Sequence, residues 1–192
     1  MSQEDTSSGN RRKEIADQFY KMLLTVPYPS ISVMELCTCV GISRSAFYKY
    51  YPSKEVCLMD VIDQYISNGL LTALQQSPNP SDSQSYAVAL LDYWKNNPSL
   101  LDIVVRDNLD HLLLSAIIRY FSRENQQTLD RLNTPMVQVD LDILACCVSC
   151  FLVILLRWHA RDFDSPSEDM AQKLRRIMHM PLLSTPETIH CE

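Results

Sequence analysis

Residues 31–58 read ISVMELCTCVGISRSAFYKYYPSKEVCL. Ser32-Val33-Met34-Glu35 has the spacing of a capping box, in which a Ser hydroxyl takes an amide three residues on and a Glu carboxylate reaches back. It opens a short helix with Val33, Leu36, Cys37 and Val40 on its inner side. Gly41 follows where a left-handed residue ends a helix, and Ser43 is placed to cap the next one. That helix ends before Pro52, and Ser53 caps a long helix with Leu58, Met59, Ile62, Tyr65, Ile66 and Leu70 facing inward. Two short helices joined through a glycine make the minimal helix-turn-helix, whose second helix can enter a major groove.

A 100° advance per residue divides that second helix in two. Ile42, Ala46, Phe47 and Tyr50 fall on one half, an apolar anchor; Arg44, Ser45, Tyr48 and Lys49 fall on the other. Arg44 can pair bidentately with a guanine edge, and Ser45 suits either base type. Tyr48 and Lys49 suit phosphate oxygens, which fix register without reading sequence. Lys54 stands in the first turn of the following helix, where free amides favour an anion, and is expected to clamp phosphate. Arg11, Arg12 and Lys13 are expected to reach the flanking backbone.

Charge supports this reading once it is resolved along the chain. The net of −6 hides seven basic groups against three acidic ones in residues 10–54, and ten basic against eighteen acidic in residues 55–192. A basic head on an acidic body points to a polyanion partner for the head.

Beyond that stretch the 192 residues continue as helices. Residues 1–9 are expected to form a flexible tail. Ile15, Phe19, Met22, Leu23 and Val26 then mark one face of a helix stopped by Pro27 and Pro29. Further helices are expected from about Gln84 to Asn96, from Pro98 through apolar positions to about Leu132, from Val139 to Ala160 and from Ser167 to Met178. Asn133-Thr134-Pro135 supplies a break. Without strand-like alternation, and with 3 Gly against 10 Pro, the chain reads as all-α, about nine helices.

The quoted stretch closely resembles the tetracycline-repressor (TetR) family of bacterial transcriptional regulators. The resemblance rests on Val40-Gly41-Ile42-Ser43, Phe47-Tyr48-Lys49-Tyr50-Tyr51 and Lys54-Glu55. Tyr51 stands where Phe is usual and Val40 where a small Ala is common. The resemblance implies a three-helix DNA-binding domain, residues 10–68, and an effector-binding and dimerisation domain, residues 69–192. It implies that Ser32, Val33, Ser43, Arg44, Ser45, Tyr48, Lys49 and Lys54 face double-stranded operator DNA. It returns near the end of the chain, where the last two helices look like the family's dimer interface.

A physical argument for pairing stands beside it. Ile143 to Leu156 is apolar except at Ser149, so that helix is apolar all round and one wall of a small domain cannot cover both its sides. A second copy can. The expected homodimer contacts are Leu144, Cys147, Phe151, Leu155, Leu174 and Ile177. An unidentified small-molecule effector is expected among the middle helices, with Trp94, His111, Tyr120, Phe151 and Trp158 as candidate lining.

Other functions fare less well. The apolar run would span roughly 21 Å as a helix, short of the ~30 Å of a bilayer core, so no membrane span is expected. Met1 to Lys13 lacks the apolar stretch of a secretory leader, and the odd count of 7 Cys argues against a disulfide framework, so a cytoplasmic setting is expected. There is no phosphate-cradling Gly loop, no His pair at metal spacing and no Ser elbow; His111, His159, His179 and His190 are scattered, so neither catalysis nor a metal or cofactor is expected. Two alternatives remain: a thiol sensor using Cys146 and Cys150, four apart on one helix face, and a helical protein-interaction module.

Overall fold

The computed structural model describes residues 3–79, 81–123 and 141–178. All regular structure among them is helical. The order is α1 (Gln3–Leu23), a 3-10 turn at Tyr28–Ser30, α2 (Val33–Val40), α3 (Arg44–Tyr50), α4 (Lys54–Gln76), α5 (Ser83–Asn96), α6 (Ser99–Asp107), α7 (Asp110–Arg123), α8 (Leu141–His159) and α9 (Ser167–Met178).

The helix starts read from sequence are built as polar side chains demand. Ser32 Oγ accepts the Glu35 amide at 3.1 Å while Glu35 Oε2 accepts the Ser32 amide at 2.8 Å. Ser43 accepts from Ala46 at 3.1 Å and Ser53 from Val56 at 3.2 Å. Gly41 sits at φ 74° and ψ 36°, the left-handed region in which a Cβ is disfavoured, and ends α2. These bonds satisfy amides that a helix start otherwise leaves unpaired.

α1, α2 and α3 enclose a small core with the start of α4, in which Ile15, Phe19, Leu36, Phe47 and Leu58 are fully buried. α4 then continues into the body without a break and packs on α5 and α7 as well as on α1. The expected division at residue 68 therefore falls inside one helix. One residue on, Gly69 lets the Tyr93 ring approach so closely that a Cβ there would lie 2.8 Å from it. In the body α9 packs on α5 and α8, and α8 on α7 and α6. Arg119 joins α7 to Asp63 of α4 at 2.5 Å, and Ser167 hydrogen-bonds Asp92 of α5.

Two boundaries differ from expectation. α1 begins at Gln3, not near Arg11. Extending an existing helix fixes one residue per hydrogen bond, so polar turns can continue it past the core without any apolar periodicity to mark them. The single helix expected from Pro98 is broken at Asn108, which holds φ 56° and separates α6 from α7. Asparagine tolerates that conformation but announces it far less clearly than glycine. The expected break at Asn133-Thr134-Pro135 lies outside the described residues, as does any helix between 124 and 140.

Candidate nucleic-acid interface

α3 is anchored by Phe47, fully buried, with Ile42, Ala46 and Tyr50 half-buried beside it. Its other side presents Arg44, Ser45, Tyr48 and Lys49, all exposed. Tyr48 is 46% exposed and stands edge-on to Phe47 with ring centroids 5.5 Å apart, so its base is held while its hydroxyl end is free to solvent. Ser43 Oγ lies 2.9 Å from Ser45 Oγ, which ties the cap of α3 to the first polar side chain of that face. Arg44 and Lys49 make no ion pair among the described residues. At the head of α2, Ser32 is exposed and Val33 half-buried.

Lys54 is placed differently from expectation. Its Nζ donates to the carbonyls of Tyr28 and Ile31 at 2.8 and 2.7 Å and lies 4.2 Å from the centroid of the Tyr28 ring. Burial lowers its ammonium below the ordinary lysine value, with Glu35 opposing the shift. Two of its three N–H groups are engaged, so Lys54 is first a strut between the 3-10 turn and α4. Only one N–H remains for a phosphate, which corrects the expectation of a dedicated clamp. Arg12 is also committed: it bonds Asp60 at 3.1 Å and lies 4.7 Å from the centroid of the Tyr51 ring. Arg11 pairs with Glu14.

Tyr51, where the resemblance led us to expect Phe, has a physical reason for its hydroxyl. The ring is fully buried, and its oxygen lies 2.5 Å from Asp60 Oδ2 and 2.9 Å from the Arg12 carbonyl. Burial first, and the bond to Asp60 second, push the phenol far above its ordinary value, so it stays protonated.

Sequence reading missed a second set of residues, at the end of α6. Arg106 donates to the carbonyls of Leu23 and Val26 at 2.9 and 3.2 Å, and Asp107 Oδ2 accepts the Tyr28 amide at 2.8 Å. Arg106 and Asp107 pair with each other, and the Arg106 guanidinium is the main reason the Asp107 carboxyl lies below the usual carboxylate range. The last turn of α6 thus closes the end of α1 and holds Tyr28, whose carbonyl receives Lys54. Nothing local signals this, because the partners are about eighty residues apart in sequence.

No family model matches the chain. The HTH-type transcriptional regulator EthR of Mycobacterium tuberculosis is 32% identical over 77 residues, 40% of this chain and 36% of that protein, so the match spans about a third of the relative's length. The nucleoid occlusion factor SlmA of Salmonella paratyphi B is 29% identical over 145 residues, 72% of this chain and 70% of that one. Among solved structures, a TetR transcriptional regulator from Streptococcus agalactiae superposes with a TM-score of 0.61 over 91% of this chain and 97% of that chain, at 19% identity. The chain has the fold of that TetR regulator. A TetR-family repressor of Thermus thermophilus, FadR, solved in complex with lauroyl-CoA, superposes with a TM-score of 0.52 over 92% of this chain and 98% of that chain, at 17% identity.

In this TetR-fold chain the expected dimer contacts divide. Leu155 is fully buried and Leu174 is 8% exposed, both within the chain's own core, so neither is open to a partner. Cys147, Phe151 and Ile177 are half-buried, and the Leu144 side chain lies outside the described residues. The exposed side chains along α8 are instead Ile143, Cys146 and Val153, with Ile143 62% and Val153 56% exposed and Cys150 half-buried beside them. A helix apolar all round gives no sequence signal as to which side its own chain covers.

The expected effector lining is likewise not gathered. Trp94 is buried against Tyr65 and Tyr93, Trp158 is fully buried against Phe163, and His111 is exposed on the first turn of α7. Tyr120 and Phe151 are half-buried. None of the five lines the cavities of about 350–360 Å³ found elsewhere on the surface. Among the described residues no group of three His, Cys, Asp or Glu could hold a metal, and no helix is long and apolar enough to cross a membrane. Burial raises the thiols of Cys37 and Cys57, the latter up to about 12, which leaves them poor nucleophiles.

Proposed function

We propose that this chain is a cytoplasmic, DNA-binding transcriptional regulator, a homodimeric repressor of a palindromic operator that a small molecule releases. The observation that carries it is the division of α3: one face locked by Phe47, the other offering Arg44, Ser45, Tyr48 and Lys49 to solvent on a helix capped at both approaches. Residues 10–68 form the reading head and residues 69–192 the dimerisation and effector body. Ser32, Val33 and Ser43 lie beside the bases or phosphates, and Lys54 sets the head's shape while adding one charge toward the backbone. The outward stripe of α8 is the homodimer face.

Two such heads read successive major-groove faces about 34–36 Å apart, so a change in that spacing releases the duplex. The effector acts by favouring the wrong spacing, with a coupling of ~1–3 kcal/mol. The fatty-acyl ligand of the Thermus relative belongs to that protein; it supports only the idea that a small molecule is read by the body.

The test is selection of bound sites from random duplex, followed by quantitative affinity on the selected site. Arg44→Ala is expected to cost ~1–3 kcal/mol at one base position and to relax preference there. A wild-type chain that selects no sequence, or an Arg44→Ala chain with unchanged preference at every position, overturns the proposal.

A further inference from the structure

Where α1 and α4 meet the connection between α5 and α6, the surface opens into a cleft of about 350 Å³. Its walls come from both halves of the molecule: Asp17 and Tyr20 of α1, Gln64, Tyr65 and Asn68 of α4, and Tyr93 of α5. The aromatic wall is rigidly wired. Tyr65 donates to the Asn97 carbonyl, Tyr93 to the Tyr65 carbonyl at 3.3 Å, and Asn97 Nδ2 to the Tyr93 carbonyl at 2.8 Å. Tyr65 lies 6.2 Å from Tyr20 and 5.6 Å from Tyr93, centroid to centroid. Gly69 is what admits Tyr93 to this position.

The groups left over define what the cleft can take. Gln64, Asn68, Asn96 and Asp17 all line it and make no side-chain hydrogen bond or ion pair among the described residues. Asp17 is the one ionised side chain of the lining, and no lysine or arginine belongs to it. Burial holds the Tyr65 and Tyr93 phenols well above their ordinary values, Tyr93 up to about 12, so they remain neutral hydrogen-bonding rings. A carboxylate beside neutral aromatic rings and free amide oxygens is the chemistry that recognises an organic cation, through charge, cation–π attraction and accepted N–H bonds. An anionic ligand would meet Asp17 with no compensating cation in the lining.

We infer that this cleft is a binding site for a small organic cation, an amine or quaternary ammonium carried on an apolar or aromatic body. Its position gives the ligand leverage. Ser99 at the start of α6 lines the cleft, while Arg106 and Asp107 at the other end of the same helix, roughly 11–12 Å away, hold Leu23, Val26 and Tyr28 of the head. Occupancy therefore bears on the contact that sets Lys54 and the approach to α3. That consequence rests on the regulator reading; the binding itself does not.

The experiment is calorimetric titration of the full chain with benzyltrimethylammonium at fixed ionic strength, with benzyl alcohol as the uncharged analogue. Saturable one-to-one binding of the cation alone is expected, weakened about five-fold in Asp17→Asn, where one exposed charge is removed. Asn68→Lys, which adds a cation at the exposed rim without touching the core, is expected to weaken it at least as much. Matching thermal unfolding of each variant and the wild type shows that the fold is kept. No saturable binding of the cation, equal binding of the alcohol, or wild-type affinity in both variants overturns the inference. DNA selection on the same preparation separates the two readings. A chain that selects DNA but ignores the cation sinks only the cleft; one that binds the cation but selects no DNA sinks only the regulator.

Discussion

The head and the last two helices solve opposite problems with their exposed residues. In the head Phe19, Leu36 and Phe47 are fully buried, Leu24 and Met34 stay exposed outside α3, and what α3 itself shows to solvent is a guanidinium, an ammonium and hydroxyls. On α8 the inward row Val148, Leu152, Leu155 and Trp158 is buried, yet the opposite row still shows Ile143 and Val153. Polar groups on a rigid helix lose little by facing water and can exchange that water for phosphate and base edges. Exposed aliphatic side chains gain only by contact with another apolar surface. The polar face of α3 suits contact with a polyanion, and the aliphatic row of α8 suits contact with another apolar surface.

The sharpest way to break that comparison is to change one residue in each row of α8. Val153→Glu places a carboxylate on the outward row of both copies. Burying an unpaired charge at a two-fold contact costs several kcal/mol, so dimer dissociation is expected at least about a hundred-fold more readily, with unfolding of the monomer little changed. Leu155→Ala opens a cavity in the chain's own core and is expected to cost about 2–5 kcal/mol of folding stability, with the dimer contact affected only through the fold. Sedimentation equilibrium and thermal unfolding read the two effects separately. If Val153→Glu sediments as the wild type does, α8 is not the dimer face.

The same contrast explains what could be read in advance. The capping box at Ser32, the left-handed Gly41 and the caps at Ser43 and Ser53 are local hydrogen-bond chemistry, written within four residues of where each acts. The split of α3 into anchor and polar face follows from helical periodicity alone. The inner side of α8 is not local: it is set by α7 and α9 arriving from elsewhere, and a uniformly apolar sequence accepts either side. Lys54 is the intermediate case. Its place at the start of α4 was legible, but its two carbonyl partners depend on how the Tyr28 turn folds back. Arg106 and Asp107 were illegible for the same reason in stronger form, being an ordinary charged pair until α6 is laid across the end of α1.

Removing that pair tests whether head and body are energetically joined. The Asp107 side chain is 2% exposed, and Asp107→Ala leaves the Tyr28 amide without its acceptor and Arg106 without its carboxylate. A loss of about 2–3 kcal/mol is expected at neutral pH. Because Arg106 and the Tyr28 amide hold the folded carboxyl below its ordinary value, its contribution is fully present above the unfolded carboxylate range and lost as pH falls through the depressed folded value. The gap between wild type and Asp107→Ala in chemical unfolding should therefore narrow below about pH 4. A gap that is absent at pH 7, or that widens with acid, sinks the latch.

The smallest effect belongs to Gly41. No atom lies within 4 Å of the place its Cβ would occupy, so Gly41→Ala creates no collision and its cost is conformational alone. Holding an L-residue at φ 74° costs roughly 1–2 kcal/mol, partly offset because alanine has less freedom to lose on folding. The turn between α8 and α9 shows that the chain can carry such a cost elsewhere, since Asp162 and Phe163 sit at φ 51° and 53° with side chains in place. There the T-shaped contact of Phe163 with Trp158 at 4.9 Å compensates; at Gly41, open on every side, nothing would. Gly41→Ala is therefore expected to lower stability by about 1 kcal/mol, with faster amide exchange confined to α2 and α3, and Gly41→Asn by less, because asparagine tolerates the left-handed region. Equal losses for Ala and Asn would mean that the backbone angle is not what the glycine supplies.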